Sequence, residues 1–275
     1  MIVDTLHELF SGIDDPGLLR ACAALAEICL VPTTATRCGV ACVVLWTLGL
    51  FGRVVAAIDT LETTVGAAPI SLLLMRMAAR FRTAERGGEI ERGAQVHVLR
   101  ERIQNEPPEV RGRLLLGLAY VCYLADGFHG DEGGERRRRL DESVGYAETA
   151  LEFMMDDPLG AAFAINHCAY VGTLADPESS RTAEYVDRLL RLRATFAWHY
   201  RFADTLARVY TAKARRLLED ASRTSEIEKR QHLKRVADAN FAIAAEVIAT
   251  AWPQFADPEV MELEMVIVHL RLQCL

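Results

Sequence analysis

Asn166 stands in the middle of an otherwise apolar stretch, DPLGAAFAINHCAYVGTLADPE, Asp157 to Glu178. An amide in so apolar a helix must find a partner or face a groove, because burying it unbonded is costly. Two uses are open: a core Asn bonded to neighbouring backbone, or a group that binds the polar backbone of a ligand. The paired acids Asp14-Asp15 and Asp156-Asp157 raise the question of a metal. An Asp-rich site needs a third acid one turn further along the helix. Pro158, Leu159 and Gly160 follow Asp157 instead, so it reads as a helix cap. His167 and Cys168 are adjacent, which on a helix turns their side chains about 100° apart and forbids a catalytic dyad. Cys38 and Cys42 share a helical face, but no His lies nearby in sequence to complete a metal site, and core packing is the expected role. His7, His97, His129, His199, His232 and His269 are isolated and read as surface or core residues. Neither a phosphate-binding G-x-x-x-x-G-K-[ST] nor a zinc-binding H-E-x-x-H occurs. Neither a cofactor nor a metal is expected.

These residues need helices to position them. Apolar residues recur with helical period almost everywhere, and no run alternates with period two. The spacing predicts helices near 3–11, 17–30, 36–66 (with a break near Gly49–Gly52), 70–85, 88–104, 109–127, 136–155, 158–175, 179–197, 200–221, 225–251 and 257–273. Asp15-Pro16-Gly17, Pro32-Thr33-Thr34, Gly87-Gly88, Pro107-Pro108, Asp157-Pro158, Asp176-Pro177, Trp252-Pro253 and Asp257-Pro258 punctuate them. The Gly-rich, charged run Asp126 to Glu135 reads as a surface loop, followed by four arginines, Arg136 to Arg139.

Composition sets the outer bounds. The chain has 275 residues, 51% hydrophobic and only 7% aromatic, which supports a sizeable core and favours helix. A net charge of −7 argues against nucleic acid, whose phosphates need a basic face. Seven scattered cysteines, an odd number with no C-x-x-C, point to a reducing compartment. MIVDTLHELF lacks the basic start of a signal peptide. The uncharged run between Arg37 and Arg53 is shorter than the roughly 20 residues a bilayer requires. A soluble, cytoplasmic protein with no membrane partner is expected.

Long helices with short joints predict an all-α, right-handed stack of antiparallel helical hairpins, an α-solenoid cup forming one domain over residues 1–275. LGLAY (Leu116 to Tyr120) followed by LDESVGYAETAL (Leu140 to Leu151) resembles the two helices of a tetratricopeptide unit. Small residues mark close helix crossings, and Ala56, Ala57, Ala119, Ala147, Ala150 and Ala161 are expected there.

Four segments in order resemble the 14-3-3 family more specifically. GRVVAAIDTLE (Gly52 to Glu62) is similar to the end of the family's long third helix. GLAYVCYLAD (Gly117 to Asp126), LDESVGYAETAL and DPLGAAFAINHCAYV resemble three later helices in the same order and at similar separations. The step from Pro158 to Asn166 equals the family's Pro-to-Asn step. The resemblance covers residues 37–178 and implies a nine-helix cup that dimerises through N-terminal helices and holds phosphopeptides in a groove. Residues 179–275 then supply additional hairpins that complete or extend the cup.

Carried over position by position, the resemblance implies a degenerate phosphate pocket. The groove Lys falls on Cys42, the third-helix Arg on Gly49 and the fifth-helix Arg on Cys122. Tyr123 matches the family's Tyr, Asn166 its peptide-binding Asn, and Arg53 a further Arg below the pocket. Tyr120 and Tyr170 join Arg53, Tyr123 and Asn166 as the expected peptide-binding set. The implied function is a non-enzymatic scaffold that binds a protein or peptide without general phosphopeptide binding. A tetratricopeptide-like adaptor is the alternative, and an all-α enzyme a third. The apolar faces Leu6, Leu9, Phe10 and Leu18, Leu19, Cys22, Leu25, Ile28 are a candidate homodimer interface.

Overall fold

A computed structural model describes residues 34–47, 49–83, 89–126, 134–196 and 200–251, together with 266–267, 270–271 and 274. The described residues are all-α, with no strand among them. The helices are α1 (Ala35–Thr47), α2 (Phe51–Val65), α3 (Ile70–Arg82), α4 (Glu89–Gln104), α5 (Pro108–Asp126), α6 (Gly134–Glu152), α7 (Pro158–Ala175), α8 (Ser180–Thr195), α9 (Tyr200–Arg223) and α10 (Ile227–Ala251). The helices expected near 3–11 and 17–30, and with them the dimer faces, lie outside the described residues. The segment between Asp126 and Gly134, and most of 257–273, do so as well.

The joints follow from local chemistry. The stretch 36–66 is broken at Gly49, whose φ of 70° is one that residues with a Cβ rarely adopt. Pro108 and Pro158 each occupy the first helical position, where a missing N–H costs nothing. Gly66 closes α2 in the left-handed conformation, its N–H donating to Glu62 O. α6 ends at Glu152, short of the expected 155. There Phe153 N–H turns to Ala150 O and Met154 N–H to Leu151 O, tightening the chain before α7.

The chain divides into two compact units, Met1–Gly160 and Ala161–Leu275. In the first, α5 and α6 run antiparallel: Gly112 lies against Ala150 and Met154, while Ser143 Oγ donates to Ala119 O at 2.8 Å. α3 packs on the other side of α5, with Leu74 against Gly117. Ile58, Leu61, Ile103, Leu118 and Leu140 are fully buried here. Each such side chain contributes about 1.5–3 kcal/mol relative to exposure. Arg76 ties α3 to α2 through Asp59 (2.8 Å) and Glu62. In the second unit α9 and α10 pair along their length around Phe202, Leu206, Phe241 and Ile248. Phe202 also meets Phe163 of α7 and Phe196 at ring separations of 5.6 and 6.1 Å.

Close crossings correct the sequence expectation in part. Ala57, Ala119, Ala147 and Ala150 are buried, whereas Ala56 is exposed and Ala161 half-buried. Ala56 faces out beside Thr60, whose hydroxyl donates to Ala56 O at 2.7 Å. The tightest approaches belong to glycines. A Cβ on Gly112 would lie 2.9 Å from Met154 Cγ and 3.1 Å from Ala150 O. One on Gly145 of α6 would meet nothing within 4 Å. The two glycines should therefore answer one substitution with opposite signs. Gly112→Ala should destabilise by about 1–3 kcal/mol through overpacking. Gly145→Ala should stabilise by roughly 0.5–1 kcal/mol by lowering the entropy of the unfolded chain. Thermal melts followed by circular dichroism check both. Equal shifts would place the α5–α6 contact elsewhere.

Candidate functional site

Helix α7 carries the candidate site, and Asp157 anchors its start. One carboxylate oxygen accepts the Gly160 N–H at 3.0 Å, and the other accepts Arg113 Nε at 2.7 Å. That is the capping arrangement the Asp-Pro joint implied, joined to α5 by an ion pair. The hydrogen bond from Arg113 holds the Asp157 carboxyl below its usual range. Gly160 has to be small here, because a Cβ would strike the Asp157 carboxylate.

Ten residues of α7 are buried, among them Ala162, Ala164, Ile165, Cys168, Ala169 and Val171. Close packing against α8 adds to this, with Gly172 positioned where a Cβ would approach Thr182 Oγ1 to 2.9 Å. Thr173 satisfies its hydroxyl on Ala169 O at 2.7 Å. Asn166 does not do the equivalent. Its Oδ1 is buried and finds no hydrogen-bond partner among the described residues. The sequence leaves two uses open, and this oxygen makes no bond to neighbouring backbone among the described residues. Thr211 Oγ1 on α9 is a second such atom. Tyr170, one turn after Asn166, is half-buried. His167 is buried on another side of the helix, and desolvation lowers its pKa to about 4, so it stays neutral at pH 7.

The remaining candidates belong to the first unit. Cys42 is fully buried, its Sγ 3.8 Å from Cys38 Sγ, and contributes to the core. Gly49 is exposed in the α1–α2 joint rather than on a helical face. Arg53 is exposed in the first turn of α2. Tyr120 and Tyr123 share one side of α5, with ring centroids 6.3 Å apart. Cys122 faces another way, beside Glu142 of α6. Burial first, and then the Glu142 charge, push its thiol up to about 12. Tyr146 donates to Glu142 at 3.1 Å and is raised to about 12, chiefly by burial.

Sequence reasoning missed Arg82. Its Nη2 donates to Tyr120 OH at 2.9 Å, so the tyrosine pair has a cation after all. No sequence signal links two residues 38 positions apart. Among the described residues no group of three His, Cys, Asp or Glu side chains is placed to hold a metal ion. None of their helices is long and apolar enough to cross a membrane. No family description, curated protein or solved structure matches this chain.

α7 should carry two separate acid sensitivities. The folded-state pKa of His167 is depressed, so its contribution is complete above about pH 6.5 and is lost as the pH falls toward 4. The loss is on the order of 3 kcal/mol. The folded-state pKa of Asp157 is also depressed, so its share survives that window and disappears only below the ordinary carboxylate range. Urea melts from pH 7 to 2 should show the upper step in full and the onset of the lower one. His167→Phe should flatten the upper one, and Asp157→Asn, which can still cap, the lower.

Proposed function

We propose that this chain is a non-enzymatic, cytoplasmic scaffold or adaptor built of stacked antiparallel hairpins in the manner of 14-3-3 proteins. It holds a protein or peptide segment without requiring a phosphate. The observation that carries this reading is the buried Asn166 oxygen with no partner among the described residues. An unpaired buried acceptor costs about 1–3 kcal/mol, so a helix that keeps one has a use for it. A backbone N–H of an extended peptide is its natural complement, as the resemblance implies. Tyr170, one turn further along α7, is half-buried.

The indifference to phosphate rests on what stands where cations would be needed. Cys42 is buried, Gly49 has no side chain, and Cys122 is a neutral thiol. Each missing charge-assisted bond removes roughly 1.5–3 kcal/mol. Three such losses take a micromolar affinity beyond millimolar, since about 1.4 kcal/mol is tenfold.

The test is a displayed peptide library selected on the full chain. The selected sequences are then measured by fluorescence anisotropy in phosphorylated and unphosphorylated forms. Asn166→Leu, a swap of similar shape, should raise unfolding stability by about 1–2 kcal/mol while weakening the selected peptides at least about tenfold. Phosphorylation should change affinity little. Micromolar binding that depends on the phosphate would overturn the degenerate pocket. A variant that is less stable and binds as well as the parent would return Asn166 to a structural role.

A further inference from the structure

Cys38 and Cys42 are both at zero exposure in the core of the first unit, their sulfurs 3.8 Å apart on one face of α1. Cys38 Sγ also lies 3.8 Å from Ala57 O of α2. Two thiols this close have three chemical fates. A disulfide needs its Cβ atoms about 3.5–4.5 Å apart. Positions i and i+4 of a helix hold them about 5–6 Å apart, so the bond cannot close without unwinding α1. A zinc site needs four ligands, and no third one joins the pair among the described residues. A single ion between the two sulfurs meets neither obstacle. With metal–thiolate bonds of about 2.3 Å, both sulfurs at their present separation reach one ion at an S–metal–S angle near 110°. Rotamer adjustment opens that angle toward linear.

We propose that Cys38 and Cys42 form a two-thiolate site for one soft monovalent cation, Cu(I). Thiolate sulfur is the donor that selects this ion over harder ones. On binding, two S–Cu bonds form, two S–H bonds break, both protons pass to solvent, and no electron moves. The hydrogen bond between the thiols lowers the pKa of Cys38 and raises that of Cys42, so the two protons are held unequally and the metal must displace both. Affinity therefore rises with pH. Entry to so buried a pair requires local opening of the helix, which makes loading slow.

The test uses the full chain, reduced, under argon, incubated with Cu(I) supplied as its coloured bicinchoninate complex. One equivalent should pass from chelator to protein, with proton release, and X-ray absorption should read two sulfurs per copper. Cys38→Ala and Cys42→Ala should each abolish that equivalent, with circular dichroism verifying the fold. Replacing Cys22, Cys29, Cys122, Cys168 and Cys274 together should leave it. No uptake, three or more sulfurs per copper, or retention in a folded Cys38→Ala or Cys42→Ala variant each overturns the proposal. If the alanine variants fail to fold, stoichiometry and sulfur count on the unmodified chain decide it.

Discussion

Helix axes approach closely only where side chains are missing, and the first unit is organised around that constraint. Gly112 and Ala119 on α5 meet Ala150 and Ser143 on α6 and Met154 just beyond its end, while Gly117 receives Leu74 from α3. α5 is thus lined with small residues toward two neighbours at once. The large side chains among and just after these points, Leu115, Leu118 and Val121, are buried as well. A crossing without a Cβ leaves no slack, because interiors are packed to crystal-like density. Ser143 adds direction by placing its hydroxyl on Ala119 O, which fixes the register of the pair as well as its spacing.

In the second unit polar groups stand where packing alone would put methyls. Thr173 resolves the problem locally by bonding the carbonyl one turn back, and His167 by remaining neutral. Asn166 resolves it in neither way. The same helix is pinned at its start by Asp157, whose two oxygens serve the backbone of α7 and the guanidinium of Arg113. An exposed ion pair alone contributes little. Coupled to a cap it holds the first turn of the helix that carries the Asn166 oxygen.

Charge is handled by neighbours rather than by a concentrated site. Arg76 and Arg80 answer Asp59 and Glu62 across α2 and α3, Arg208 doubles onto Asp204 within α9, and Arg271 reaches Asp238. These pairs stand at the boundary of core and solvent, where both partners keep some water. The groups driven furthest from their ordinary ionisation are the buried His167 and Cys38–Cys42 pair and the half-buried Cys122.

Read alone, the sequence determined the helical class, the order of the described helices and the joints between them. Each of those is a local matter. Pro108 and Pro158 set a first helical position, Gly49 and Gly66 supply positive φ, and Asp157 caps a turn three residues away. Partners separated by long stretches of chain were decided only in three dimensions. Arg82 reaches Tyr120, Ala56 turns outward while Gly112 takes the tight crossing, and Cys122 faces Glu142 rather than sharing the side of its neighbour Tyr123. The Asn166 anomaly was visible in the sequence as a polar residue out of place. That its oxygen lacks a partner among the described residues depended on every neighbour the fold brought up to it. Backbone geometry is set by the few residues it spans, whereas the surroundings of a side chain are set by helices from distant parts of the chain.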